Sequence, residues 1–395
     1  MGIPPSALAL LLAAAPSDAA LVEAIDEALL DGARFLLAAQ DPDGAFRSKS
    51  YAAFKDGYSL GPLILSALYF APPDPAIVRA YDRGADFLAG AVSVGRFAYP
   101  SYSKSGAILV LSVDRNARHA AARDRLVELL RLSQLDERLG WTKADPSYGG
   151  WGYWLEEPRK PPPDVFRHEL LSSNLSATLF AIAALAFAGV SLDDPAFIAA
   201  RTFVERCQNF AENPKRADRR FDDGGFFFTP DNDIQNKAMA AGKDRSGKIR
   251  YTSYGTMSAD GMRALIRLGL PRTHPRVRAA ADWIRTRFDP ERASGDYPEV
   301  RELQRASAYY YYAWTTSHAL AAMGERSYRR GRTEVDWPAS LSQAILQRKR
   351  DDGSWSNPSG DLREDDPLIA TPFAMAALEV SRMMITGRWR TAIRY

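Results

Sequence analysis

The chain has 395 residues, 46% of them apolar and 25% charged, and its Lys and Arg outnumber its Asp and Glu by only three. Those values are ordinary for a folded soluble protein and exclude a largely disordered chain. The basic residues are dispersed apart from Arg326, Arg329, Arg330 and Arg332, so no nucleic-acid footprint is present, and the lone Cys207 excludes an intrachain disulfide framework.

Residues 1–19 carry the apolar stretch 7–15 followed by Ser17-x-Ala19, the small-x-small form of a signal-peptidase site. The expectation is export, to the periplasm or beyond, with the mature chain starting near Ala20. No Lys or Arg precedes the stretch, however, and the competing reading is an Ala-rich terminal helix on a cytoplasmic protein. From residue 20 to 395 no linker-like break interrupts the pattern, which predicts one domain.

Two kinds of helix then alternate. Amphipathic helices with one charged face are predicted at 21–39, 76–89, 117–132, 196–210, 275–287 and 337–347. Segments apolar nearly all round are predicted at 59–70, 104–113, 175–188, 258–268, 312–323 and 373–384. A helix without a polar face must be covered on every side. Strict alternation of about six pairs therefore predicts an all-α toroid, an inner ring of helices within an outer ring. Asp74-Pro75, Asp194-Pro195 and His274-Pro275 open outer helices with a cap and a first-turn proline. The links at 139–169 and 211–251 are long, as functional loops are, and should emerge at one end of the barrel. The apolar segment 175–190 is shorter than the roughly 20 residues that cross a bilayer, and no transmembrane segment is expected.

Ahead of the apolar helices stand turns of related design: QDPDGAF at 40–46, GGWGYW at 149–154, DDGGFFF at 222–228 and QRKRDDGSW at 347–355. The turns at 40–46 and 347–355, each followed by an apolar helix, resemble the QW-type repeats of the terpenoid cyclase and protein prenyltransferase superfamily. The resemblance covers most of the chain and is closest to bacterial prenyltransferase and squalene-oxidase-repeat proteins. The pieces that carry it further are SSNLSATLFAIAAL at 172–185, SYGTMSADGMRAL at 253–265 and YYYYAW at 309–314. It implies the α/α toroid and no agreed reaction. The sequence departs from the superfamily's catalytic motifs, having only Glu364, Asp365 and Asp366 where a DxDD acid would be sought. No cysteine stands beside His318 to complete a zinc site, so neither a metal nor any other cofactor is expected.

Parallel inner helices would bring their N-termini to one mouth. The candidate ligand-binding residues there are Tyr58, Tyr102, His168, Asn174, Tyr254, Asp260, Tyr310, Trp314 and Thr371, because aromatic rings stabilise cations and stack on sugars or isoprenoids. At least half of the four consecutive tyrosines at 309–312 must pack between the rings instead. The candidate catalytic groups are Asp365, Asp366, Glu364 and His318, since crowded carboxylates away from water can hold a proton. Against that reading, Asp366-Pro367 has the form of a helix cap. Thr371-Pro372 is a second cap signal, and the last inner helix is expected to start at Thr371 with the acids in the loop before it. Three functions stay open: a cyclase-like protein taking an apolar, isoprenoid-type ligand into a central cavity, an exported carbohydrate- or peptide-binding toroid, and a protein-interaction scaffold. The oligomeric state is not encoded in any of these features.

Overall fold

The computed structural model describes residues 17–389 apart from 95, 96, 166, 167, 214 and 216, with the side chains of 114 and 115 also left aside. The apolar stretch read as an export signal lies outside the described residues. Ser17 and Asp18, at the expected cleavage site, belong to the first helix: the Ser17 hydroxyl accepts from the backbone N–H of Ala20.

In chain order the main helices alternate between outer and inner positions. They are α1 (Asp18–Ala38), α2 (Leu60–Phe70), α3 (Pro75–Ala89), α4 (Pro100–Leu111), α5 (Ala120–Leu132), α6 (Leu175–Phe187), α7 (Pro195–Arg206), α8 (Gly255–Arg267) and α9 (Pro275–Arg287). A short α10 (Glu302–Ala306) sits in a link, and α11 (Tyr309–Met323), α12 (Trp337–Leu346) and α13 (Pro367–Ile385) complete the chain. The all-apolar helices form a closed inner ring, in which α2, α4, α6, α8, α11 and α13 each pack on the next and α13 returns to α2. Outside them lie α1, α3, α5, α7, α9 and α12, with α12 against α1 closing the seam. The fold is an α/α toroid of six helical pairs. Three outer helices open as their sequences predict: Asp74, Asp194 and His274 cap first turns that begin with proline.

The repeated turns act as clamps between successive pairs. The side-chain amide of Gln40 donates to the carbonyls of Gly44 and Ala80, that of Gln134 to Gly149 and Ala196, and that of Gln208 to Gly224 and Arg276. Each glutamine thus ties its own turn to the next outer helix. The turn glycines Gly44, Gly149, Gly224 and Gly353 have φ of 90°, 88°, 87° and 82°, a left-handed conformation that favours glycine. A methyl group there would strike the backbone carbonyl of Arg83, Ala199, Ala279 or Asp31 respectively. The last turn packs against α1 and so closes the ring.

A hydroxyl completes three of the clamps. Thr178 accepts from the N–H of Trp151 at 3.0 Å, Ser258 from that of Phe226 at 3.0 Å and Thr371 from that of Trp355 at 3.0 Å. This corrects the expected start of the last inner helix. It begins at Pro367, capped by Asp366, whose carboxylate accepts from the N–H of Leu368 at 2.9 Å, and Pro372 lies inside it. The Thr371 hydroxyl is engaged by Trp355 and caps nothing.

Among the described residues three two-stranded ribbons were not foreseen: β1 (Trp151–Gly152) with β2 (Ser173–Asn174), β3 (Ala240–Lys243) with β4 (Ile249–Tyr251), and β5 (Ser327–Arg330) with β6 (Thr333–Asp336). The arginine run 326–332 therefore forms a hairpin. Arg326 joins it to α1 through Asp18 at 2.6 and 2.7 Å and holds Asp336 at 2.7 Å. Among the described residues α13 alone is long and apolar enough to cross a membrane, which the sequence reading overlooked; most of it is buried inside the toroid.

Candidate functional site

The inner ring encloses a cavity of about 630 Å³ that runs the length of the barrel, from Lys237 and Glu364 at the long-loop end to Tyr69, Phe187 and Met383 at the other. Its wall is mainly aromatic and aliphatic because the inner helices turn residues spaced by three and four toward the axis. An unbroken belt of rings crosses the wall. Tyr153 lies 5.8 Å from Tyr102 between ring centroids, Tyr102 lies 5.0 Å from Phe180, Phe180 lies 5.6 Å from Trp314, and Trp314 lies 5.3 Å from Phe373.

Of the residues singled out from sequence, Tyr102, Trp314, His318 and Glu364 line this cavity. The others sit elsewhere. Tyr58 stacks on Phe87 at 4.6 Å, outside the inner ring. His168 is exposed, its ring accepting from the N–H of Leu170 at 3.1 Å. Asn174 caps α6 through the N–H of Ala177 at 2.9 Å. Tyr254 is buried against Tyr297 at 5.7 Å. The Tyr310 hydroxyl donates to the carbonyl of Ser356 at 3.3 Å, away from the axis. Thr371 belongs to the clamp on Trp355.

The three acids separate. Glu364, 2% exposed, reaches back to α11 and accepts from the N–H groups of Tyr310 at 3.0 Å and Tyr311 at 2.8 Å, filling two of that helix's orphan donors. Asp365 is exposed and accepts from the Tyr51 hydroxyl at 2.6 Å. Asp366 caps α13 and also accepts from the Ser48 hydroxyl. Only Glu364 keeps a place on the cavity wall.

Sequence reasoning missed Tyr153, Phe180, Arg263, Arg267 and Lys237, all on the wall, and favoured Tyr310 over Tyr311. Helical spacing carried the signal for one of these: Tyr311, Trp314 and His318 share a face of α11, whereas Tyr310 is one residue out of phase. Tyr309 and Tyr312 also point away, donating to the carbonyls of Pro290 at 2.9 Å and Asp289 at 3.0 Å.

The polar groups of the cavity form two sets. At the long-loop end Lys237 is pushed down to about 8 by burial, against the pull of Glu364, Asp361 and Asp260, and Glu364 is pushed up to about 7 by burial, against its hydrogen bonds from α11. Arg363, a non-glycine residue at φ 65°, lies there among the rings of Tyr51, Phe54 and Tyr99 and donates to the Tyr99 hydroxyl. Deeper in, Asp260 sits behind the wall and accepts from Tyr311 at 2.6 Å and from Thr315 at 2.5 Å. Burial raises its pKa, opposed first by Arg263. The Tyr311 hydroxyl is also 2.7 Å from that of Ser176, so the chain Ser176–Tyr311–Asp260 can hold a proton and pass it along. His318 is held neutral by burial and by Arg263, with its Nδ1 donating to the Trp314 carbonyl at 2.8 Å. Among the described residues no group of three or more His, Cys, Asp or Glu side chains could hold a metal ion.

No family model matches the sequence, and no curated protein matches it. Solved structures do. The type II terpene cyclase MstE from Scytonema in its apo form is 12% identical with a TM-score of 0.54, covering 91% of this chain and 99% of that one. A variant of MstE in complex with its substrate, geranylgeranyl dihydroxybenzoate, gives 12% identity and a TM-score of 0.56, covering 94% of this chain and 99% of its own. The unsaturated glucuronyl hydrolase of Bacillus sp. GL1 is 15% identical with a TM-score of 0.59, covering 95% and 99%. The chain has the α/α-toroid fold. At these identities the likeness is one of architecture, and toroids that take a terpenoid and toroids that act on a glycosaminoglycan are matched about equally well.

Proposed function

We propose that this toroid takes a single apolar ligand of isoprenoid type into its central cavity. The observation that carries the reading is the aromatic belt from Tyr153 through Tyr102, Phe180 and Trp314 to Phe373, set in the wall of a cavity of about 630 Å³. That volume lies within the range of small-molecule sites, roughly 300–1,000 Å³. The wall has the few, localised polar groups that orient an apolar ligand, not the dense hydrogen-bonding surface a saccharide needs. Ring faces along the belt suit a polyene chain and stabilise positive charge developing on it. Asp260 and the Tyr311 hydroxyl beside the belt would handle the proton: with the carboxyl protonated, the state burial favours, Tyr311 gives its proton to the ligand and recovers it from Asp260, which sets any reaction in the class of acid-promoted isomerisation or cyclisation.

Intrinsic tryptophan fluorescence tests the reading. Geranylgeraniol should change the emission and saturate at one equivalent, and Trp314→Phe should remove most of the change. A response to glucuronate-containing oligosaccharides with none to geranylgeraniol would favour the saccharide-binding alternative.

A further inference from the structure

Two guanidinium groups enter the cavity from α8, one helical turn apart, at Arg263 and Arg267. Arg263 is 5% exposed. One terminal nitrogen donates to Thr315 at 2.9 Å and stands 3.7 Å from Asp260, its guanidinium lies 4.4 Å over the Trp314 ring, and its buried Nε has no hydrogen-bond partner. Arg267 makes no hydrogen bond or ion pair with any described residue and lines the cavity half-buried. His318, neutral, lines the cavity close enough for both guanidiniums to depress its pKa.

The charges do not balance. Among the described residues Asp260 is the one carboxylate that acts on either arginine, whereas Glu364 and Asp361 act on Lys237 at the mouth and Glu379 faces Arg382. An arginine does not shed its proton in a protein, so Arg267 stands in the cavity wall as a half-buried cation whose charge desolvation disfavours. Arg267 is the last residue of α8, where the helix carbonyls favour a cation, but that attraction is small beside what a paired anion would supply to a half-buried guanidinium. Something of opposite sign would offset the desolvation, and a planar guanidinium fork fits carboxylate and phosphate oxygens in pairs.

We propose that Arg267, with Arg263 beside it, is the seat of an anionic head group, a carboxylate or phosphate, carried by the apolar ligand. The ligand is then an amphiphile, its head below the Asp260 level and its chain along the aromatic belt. This rests on the reading of the cavity as an isoprenoid-type site.

Calorimetric titration with four probes separates the two ideas: farnesol, farnesoic acid, farnesyl phosphate and inorganic phosphate. Wild-type protein should bind the farnesyl anions at least tenfold more tightly than farnesol. Arg267→Met should bring that ratio within threefold while leaving farnesol affinity and melting temperature unchanged or raised. Farnesol binding as tightly as its anions would overturn the head-group seat and leave the cavity reading intact; so would a preference that survives Arg267→Met. Inorganic phosphate binding as tightly as farnesyl phosphate would make this a free-anion site and overturn the amphiphile. A melting temperature lowered by several degrees in Arg267→Met would show that the arginine is structural and sink the proposal. Failure of all four probes to bind would sink both ideas.

Discussion

The Tyr311 hydroxyl donates to Oδ2 of Asp260 across 2.6 Å, and it does so from the wall of the cavity while the carboxylate stays behind it, fully buried. The pair is the point at which the interior chemistry of the protein meets whatever the cavity holds. Replacing Tyr311 by Phe keeps the ring and deletes the donor. Asp260 would keep Thr315 and Arg263 as partners, so the expected cost is about 1–3 kcal/mol in chemical denaturation. Geranylgeraniol affinity should change by less than threefold. A larger loss of affinity with unchanged stability would mean that the hydroxyl itself holds the ligand.

Thr371 tests the reading of the repeats. Thr371→Val leaves the buried N–H of Trp355 without its acceptor and should lower stability by about 1–3 kcal/mol, with ligand affinity unaltered because Thr371 does not reach the cavity. Thr371→Ser should retain most of the stability. Asp366→Ala should behave in the same manner, losing a cap worth about 1 kcal/mol, whereas Asp365→Asn, at an exposed position, should be nearly silent in both assays. Weakened ligand binding in Asp366→Ala at unchanged stability would return that acid to the site.

Glu379 gives a pH prediction. It is 9% exposed on α13, its nearest cation is Arg382 at 3.9 Å, and burial pushes its pKa up to about 7. A carboxyl whose folded pKa lies above its unfolded value binds more protons when folded. Its contribution is therefore complete below about pH 4.5 and is lost as pH rises through 7. A tenfold change in proton affinity corresponds to about 1.4 kcal/mol, so the full loss is on the order of 3 kcal/mol. Glu379→Gln should melt higher than wild type at pH 8 and flatten the decline of melting temperature between pH 5 and 8. An unchanged slope would show that Glu379 is ionised throughout.

The toroid was legible because its rule is local: six segments without a polar face alternate with six that have one, and an inner ring inside an outer ring covers the first set on every side. The site was legible at Tyr102, Trp314 and His318, where helical phase could be counted, and at Glu364, which the crowding of acids singled out. Asn174, Thr371 and Asp366 have the residue types of a polar site but spend their hydrogen bonds on helix starts and turn clamps, a distinction that appears once their partners are known. Lys237 was hidden for the opposite reason. It lies in a long loop with no periodicity, and only the folding of that loop over the mouth brings it to the cavity.

The central claim is that one apolar ligand sits inside the barrel, and native mass spectrometry of wild type beside Ala183→Phe tests it most directly. Ala183 lines the cavity from α6, and a phenyl ring there fills space the chain of a ligand would need. Wild-type protein titrated with geranylgeraniol should show a single adduct of one ligand per chain, and Ala183→Phe, folded by circular dichroism, should show none. Equal binding by both proteins would place the ligand outside the barrel and contradict the account.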